Sequence, residues 1–121
     1  MTKTILVIDD ADITRLLATR ALKGAGYEVI EAADGKAALA LLDGRSVSMA
    51  VCDLNMPVMD GMEFVKAVKT MPHYKLMPII MLTIADEDEV LAKGKNAGVD
   101  AWMTKPFTPA VLVTAVNKLC P

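Results

Sequence analysis

Apolar and polar positions along the chain follow two rhythms that alternate five times. Short apolar runs stand at Thr4–Ile8, Tyr27–Ala32, Met49–Cys52, Pro78–Leu82 and Val99–Met103, each short enough to be a strand. Between and after them the spacing changes to that of a helix. Ile13, Leu16, Leu17 and Ala21 fall on one helical face, and Ala38, Leu41 and Leu42 repeat the pattern more briefly. Phe64, Val65 and Val68 mark a third helix, and Leu112, Ala115, Val116 and Leu119 mark the last. The segment Asp86–Ala97 has Val90, Gly94 and Ala97 on one face, and its glycine makes it the weakest of the five helices.

Capping chemistry agrees with these boundaries. Asp60-x-x-Glu63 and Asp86-x-x-Glu89 have the spacing of a capping box. Thr108-Pro109 sets a hydroxyl cap before a proline at the first helical position. Strict alternation of strand and helix predicts right-handed crossovers and an α/β fold, a parallel sheet covered on both faces. The first, third and fourth strands are almost wholly apolar, as strands buried on both sides should be. The second and fifth have polar residues at intervals (Y-E-V-I-E and V-D-A-W-M), which suits sheet edges. The order 2-1-3-4-5 satisfies that division, giving a flavodoxin-like doubly wound sheet of five strands with five helices. In such a sheet a site forms at the carboxyl ends of the strands, between strands 1 and 3 where the order reverses.

Composition narrows the picture. A chain of 121 residues suits one domain over residues 1–121. With 54% hydrophobic and only 4% aromatic residues, the core must be aliphatic and rich in methionine. A net charge of −2 gives no electrostatic footprint for nucleic acid or a membrane surface. No apolar run approaches the roughly 20 residues that span a bilayer, and the N-terminus has no signal-peptide layout. Cys52 and Cys120 lie far apart, which suits reduced thiols in a cytoplasmic protein better than a disulfide or metal framework.

The chemistry gathers where the topology predicts a crevice. Strand 1 runs out into Asp9-Asp10, strand 3 into Asp53 within D-L-N-M-P-V-M-D-G, strand 4 into Thr83, and strand 5 into Lys105-Pro106. Three adjacent carboxylates repel unless a cation relieves them. Magnesium takes one or two carboxylates and leaves positions for a phosphate oxygen. Asp10 and Asp53 could ligate directly, with Asp9 acting through water. A carboxylate in that setting can attack phosphorus and form an aspartyl phosphate, with Thr83 and Lys105 sharing the charge.

Asp9-Asp10, Asp53, Thr83 and Lys105-Pro106-Phe107, in that order over Lys3 to Leu119, resemble the receiver domain of bacterial two-component response regulators, of the stand-alone chemotaxis type. The strand order above is the order of that family, so the two are not independent. The resemblance implies that Asp53 is phosphorylated by a histidine kinase or a phosphotransfer protein. It implies magnesium held by Asp9, Asp10, Asp53 and the backbone carbonyl of Asn55. Lys105 would pair with the phosphoryl group, Thr83 would report its presence, and Pro106 would follow a cis peptide bond. Trp102 matches the switch aromatic, although relatives usually have Tyr or Phe there, and bulky Ile84 stands where they have a small residue. Output would pass through helix 4, strand 5 and helix 5 to a separate partner in chemotaxis or a phosphorelay. The resemblance further implies a cytoplasmic monomer, with dimerisation on phosphorylation left open, and no contact with nucleic acid or membrane. Such a switch catalyses only its own phosphorylation and dephosphorylation.

Two other readings compete. Asp10-Ala11-Asp12-Ile13-Thr14 fits D-x-D-x-T, the first motif of haloacid-dehalogenase-type phosphohydrolases. That reading makes Asp10 the nucleophile and Asp12 the acid–base, but no acidic residue follows Lys105 to complete such a site. For Asp12 the plainer account is a charge in the first turn of a helix. The third reading is a pseudo-receiver that keeps the fold as an interaction module only.

Overall fold

The computed structural model describes residues 2–84 and 98–120. Strands β1 (Thr4–Ile8), β2 (Glu28–Ala32), β3 (Met49–Asp53), β4 (Ile79–Thr83) and β5 (Ala101–Thr104) form one sheet, in the order β2-β1-β3-β4-β5. Every neighbouring pair is parallel. Helices α1 (Asp12–Gly24), α2 (Gly35–Leu41) and α3 (Gly61–Lys69), with a C-terminal helix (Pro109–Leu119), are the crossovers and the closing element. The polar second and fifth strands are the sheet edges, as the pattern predicts. The expected helix over Asp86–Ala97 lies outside the described residues. Strand ends differ from the sequence reading by one or two positions. Pro78, for example, stands outside β4, and its carbonyl accepts from Ala50 N at 3.0 Å.

The pleat divides the interior strands into two cores. Leu6, Ile8, Ala50, Cys52, Ile79 and Met81 face α2 and α3, where Ala38, Leu42, Phe64, Val65 and Val68 meet them. Ile5, Val7, Met49, Val51, Ile80 and Leu82 face α1 and the C-terminal helix, meeting Ala18, Leu22, Leu112 and Val116. Burying each large aliphatic of these sets contributes about 1.5–3 kcal/mol, so the central strands are the most firmly held part of the molecule.

The caps predicted at Asp60 and Thr108 are in place, and the one at Asp86-x-x-Glu89 lies outside the described residues. Asp60 accepts from Glu63 N, and Glu63 reaches back to the Asp60 amide, so α3 begins on a capping box. Thr108 Oγ1 accepts from Val111 N at 3.2 Å, with Pro109 opening the C-terminal helix.

One helix differs from its pattern. On α1 the face marked by Ile13, Leu16 and Leu17 is turned outward, with these residues 75%, 46% and 50% exposed. The buried side is Ala18, Thr19 and Leu22. Small side chains let α1 lie close to its neighbours, and the large aliphatics are left outside. Thr19 Oγ1 is buried there without a hydrogen-bond partner.

Candidate functional site

At the carboxyl ends of β1, β3 and β4 the backbone sets out polar groups against an otherwise apolar sheet. Asp9 follows β1 directly, and its amide donates to Ala32 O at 3.1 Å. Asp53 is the last residue of β3, held one strand over, and Leu54 N donates to Leu82 O at 2.8 Å. Thr83 closes β4, and its carbonyl accepts from Lys105 N at 2.9 Å, which brings the lysine back over the strand ends. The Lys105–Pro106 peptide is cis, as the sequence resemblance implies.

Three carboxylates meet in this crevice. One oxygen from each of Asp9, Asp10 and Asp53 lies within 4.8 Å of the others. Lys105 Nζ bridges two of them, 2.9 Å from Asp9 Oδ2 and 3.2 Å from Asp53 Oδ2. Asp9 Oδ1 accepts from Ala11 N at 2.9 Å. Asp9, Asp53 and Thr83 are buried, while Asp10 and Asn55 stand at the exposed rim. Burial raises the Asp53 pKa to about 6; the Asp9 charge pushes it the same way, and Lys105 partly opposes both. Burial alone would lower the Lys105 pKa, but its bond to Asp9 and the charges of Asp53 and Asp9 outweigh that and raise it. Behind the site, burial first and then Asp53 push the Cys52 thiol well up, so it stays protonated and donates to Asp53 O at 3.3 Å.

All donors in the cluster are hard oxygens, the set that a small divalent cation such as magnesium prefers. The ammonium of Lys105 now supplies positive charge that such a cation would share. The residues therefore fit the metal that the sequence implies.

Trp102 sits apart from the crevice. It pairs in register with Met81 and packs half-buried against the core on the α2 and α3 side. Asp12 lies in the first turn of α1 with its carboxylate 87% exposed, and Arg15 Nη2 donates to it at 2.6 Å. This is the helix-start arrangement, not that of an acid–base beside Asp10. Val111 is exposed on the C-terminal helix and Val113 is half-buried.

Two features at the site have no signal in the sequence. Arg15 is one. The other is Val58, in the loop between β3 and α3, which has φ of 70°. Met59 N donates to Pro57 O at 2.8 Å, so Val58 is the centre of a tight three-residue turn in a region that β-branched residues avoid. Its side chain is 74% exposed and gains little from packing. Val58→Gly is expected to stabilise the fold by about 1 kcal/mol, relief of strain exceeding the added unfolded-state entropy. Urea unfolding measures it, and a variant less stable than wild type overturns the strain assignment.

The sequence profile of the response regulator receiver domain matches residues 5–117. The chain is 40% identical over 110 residues to the alkaline phosphatase synthesis transcriptional regulatory protein PhoP of Bacillus subtilis (strain 168), covering 90% of this chain and 45% of that protein. It thus spans under half of that relative's length. With chemotaxis protein CheY1 of Helicobacter pylori (strain ATCC 700392 / 26695) the identity is 37% over 110 residues, covering 89% of each chain. The solved structure of the chemotaxis response regulator CheY4 of Vibrio cholerae superposes with a TM-score of 0.93 at 39% identity, covering 98% of this chain and 99% of that one.

Proposed function

Because the chain belongs to the response regulator receiver family of two-component systems, we propose that Asp53 accepts a phosphoryl group and that the domain is a signalling switch. Members of this family are signalling regulators and not metabolic enzymes. The observation that supports the assignment most is the Asp53 carboxylate itself. It is buried at the end of a central strand, 3.2 Å from an ammonium and within reach of two further carboxylates.

The step is a displacement at phosphorus. An Asp53 oxygen forms the new P–O bond while the bond from phosphorus to the donor's imidazole nitrogen breaks, and the imidazole takes a proton from water. Asp9, Asp10, Asp53 and the Asn55 carbonyl would hold magnesium, which would supply charge to offset that of the transferred oxygens. Lys105 moves its ammonium from Asp53 to a phosphoryl oxygen, and the Thr83 hydroxyl donates to another. Thr83 and Trp102 then pass the change outward. Among the described residues the surface affected comprises β5 and the C-terminal helix; the expected fourth helix lies outside them.

A histidine kinase or phosphotransfer protein is the donor, and a separate protein, in chemotaxis or a phosphorelay, reads the output. The domain acts in the cytoplasm as a monomer, with dimerisation on phosphorylation left open. No helix among the described residues is long and apolar enough to cross a membrane.

The test is phosphate uptake from a small acyl-phosphate donor, followed by intact mass. Wild type takes up one phosphoryl group only with magnesium, and Asp53→Asn takes up none. Uptake by Asp53→Asn at the wild-type rate defeats the assignment, and no uptake by either leaves an interaction module as the correct reading.

Ile84 sets how long the phosphate stays. It lines a groove of about 260 Å³ with Leu17, Lys105, Pro106 and Phe107, at the edge of the crevice. A bulky side chain there obstructs water approaching the acyl phosphate. Ile84→Ala is expected to shorten the phosphate lifetime several-fold, and an equal lifetime in the two proteins refutes the role.

A further inference from the structure

We propose that Arg15 is a positioning residue for the acidic pocket: its guanidinium fixes the peptide unit that joins Asp9 to Asp10, and so aims the Asp10 carboxylate. The inference rests on the metal-pocket reading given above.

Arg15 projects from the first turns of α1 but is only 19% exposed, because its side chain folds back over the end of β1. Nη1 donates to the Asp9 carbonyl oxygen at 2.6 Å, and Nη2 to Asp12 Oδ1 at 2.6 Å. Nε lies 3.5 Å from Glu31 Oε1, near the end of β2. One rigid fork therefore ties three pieces of chain: the β1 exit, the first turn of α1 and the neighbouring edge strand. Lysine, with one flexible ammonium, cannot reproduce it.

The bond to Asp9 is the one that matters for the pocket. A carbonyl oxygen and the next amide share one rigid plane, so the Asp9 oxygen and the Asp10 nitrogen turn together. Asp9 N is already bonded to Ala32 O, and Ala11 N to Asp9 Oδ1. With the carbonyl also held, the backbone on both sides of Asp10 is anchored. Asp10 is exposed, so the direction of its carboxylate is set by this backbone more than by packing. Arg15 touches neither the metal position nor the phosphorus, and acts through that peptide.

Charge and geometry make opposite predictions here. As a bare cation, Arg15 would repel magnesium, so removing it would tighten binding. As a clamp, its removal loosens a ligand and weakens binding.

The test uses the intact chain and magnesium chloride. Calorimetric titration gives the affinity of wild type, Arg15→Met and Arg15→Lys. Both variants are expected to bind about tenfold more weakly, the low end of what losing the partner of a metal ligand costs. In metal-free protein the Ala11 amide should exchange several-fold faster in both, while the Leu6 and Val51 amides, which report global opening, keep their rates. Magnesium binding in Arg15→Met as tight as wild type or tighter, with Ala11 exchange unchanged, overturns the proposal. So does full rescue by Arg15→Lys, which would show that a single ammonium suffices there and that the rigid fork plays no part. A wild type that binds no magnesium removes the metal-pocket reading instead, and the clamp is then judged on the exchange rates.

Discussion

Gly61→Ala should destabilise the domain by about 3 kcal/mol and impair phosphate acceptance with it. Helix propensity argues the other way, since alanine is favoured over glycine by about 1 kcal/mol within a helix. Sterics decide the sign. A Cβ on Gly61 would stand 2.6 Å from the Asp53 carbonyl oxygen, 2.6 Å from Met81 Sδ and 3.0 Å from Leu54 Cα. The methionine sulfur can move, but the other two atoms are backbone at the end of β3. Gly61 N also donates to Leu54 O at 2.9 Å, so the helix start cannot retreat without breaking that bond. The displaced atoms include the carbonyl of Asp53 itself, which links the stability defect to the site. Urea unfolding and phosphorylation rate are measured together. Wild-type stability in the alanine variant would mean that the approach of α3 to β3 is looser than described.

The second large effect is a dependence of stability on pH. Asp53 has its pKa raised from an ordinary 3.8 to about 6, by burial first and by Asp9 second, against the pull of Lys105. In the folded state it holds a proton that the unfolded chain has already lost. Its contribution therefore favours folding up to the unfolded pKa and is lost as pH rises through about 6. Above that, the buried carboxylate is a standing cost. Asp53→Asn should then be more stable than wild type at pH 7 by about 1–2 kcal/mol, a figure reduced from the full shift because the crevice opens to solvent. The advantage should shrink to nothing near pH 4. Magnesium should flatten the wild-type curve, because the cation favours the charged carboxylate. Superimposable stability curves for the two proteins between about pH 4 and pH 8 would contradict the assigned shift.

Much of this molecule is written in local pattern. Runs of four to six residues located every strand among the described residues, and the polar interruptions in Y-E-V-I-E and V-D-A-W-M distinguished edge from interior. The acids of the crevice were legible for a topological reason, since parallel strands deliver their last residues to one end. Helix α1 is where the pattern puts it, but which of its sides is buried is something periodicity cannot resolve. A stripe of large aliphatics shows amphipathicity, but not which flank meets the sheet. Here close packing selected Ala18 and Thr19, and Ile13, Leu16 and Leu17 faced outward. Arg15 was invisible for another reason. Its pairing with Asp12 is local, but the Asp9 carbonyl and Glu31 become its partners only after β1 and β2 are side by side. The left-handed backbone at Val58 runs against residue preference, so the chain gave no hint of it.

The strand order also bears on how the domain comes to exist. Asp9, Asp53, Thr83 and Lys105 reach the crevice from four strand ends, and none of the four is next to another in the sequence. Parallel pairing requires long crossovers to close before any contact is made, so such sheets form late and cooperatively. No fragment or half-folded intermediate can then assemble the acceptor and its lysine. Under the proposed function, a nascent or damaged copy would accept no phosphate and so would be silent. Competence for phosphate would in this sense be a proofreading of the fold, reached only when β1, β3, β4 and β5 are side by side.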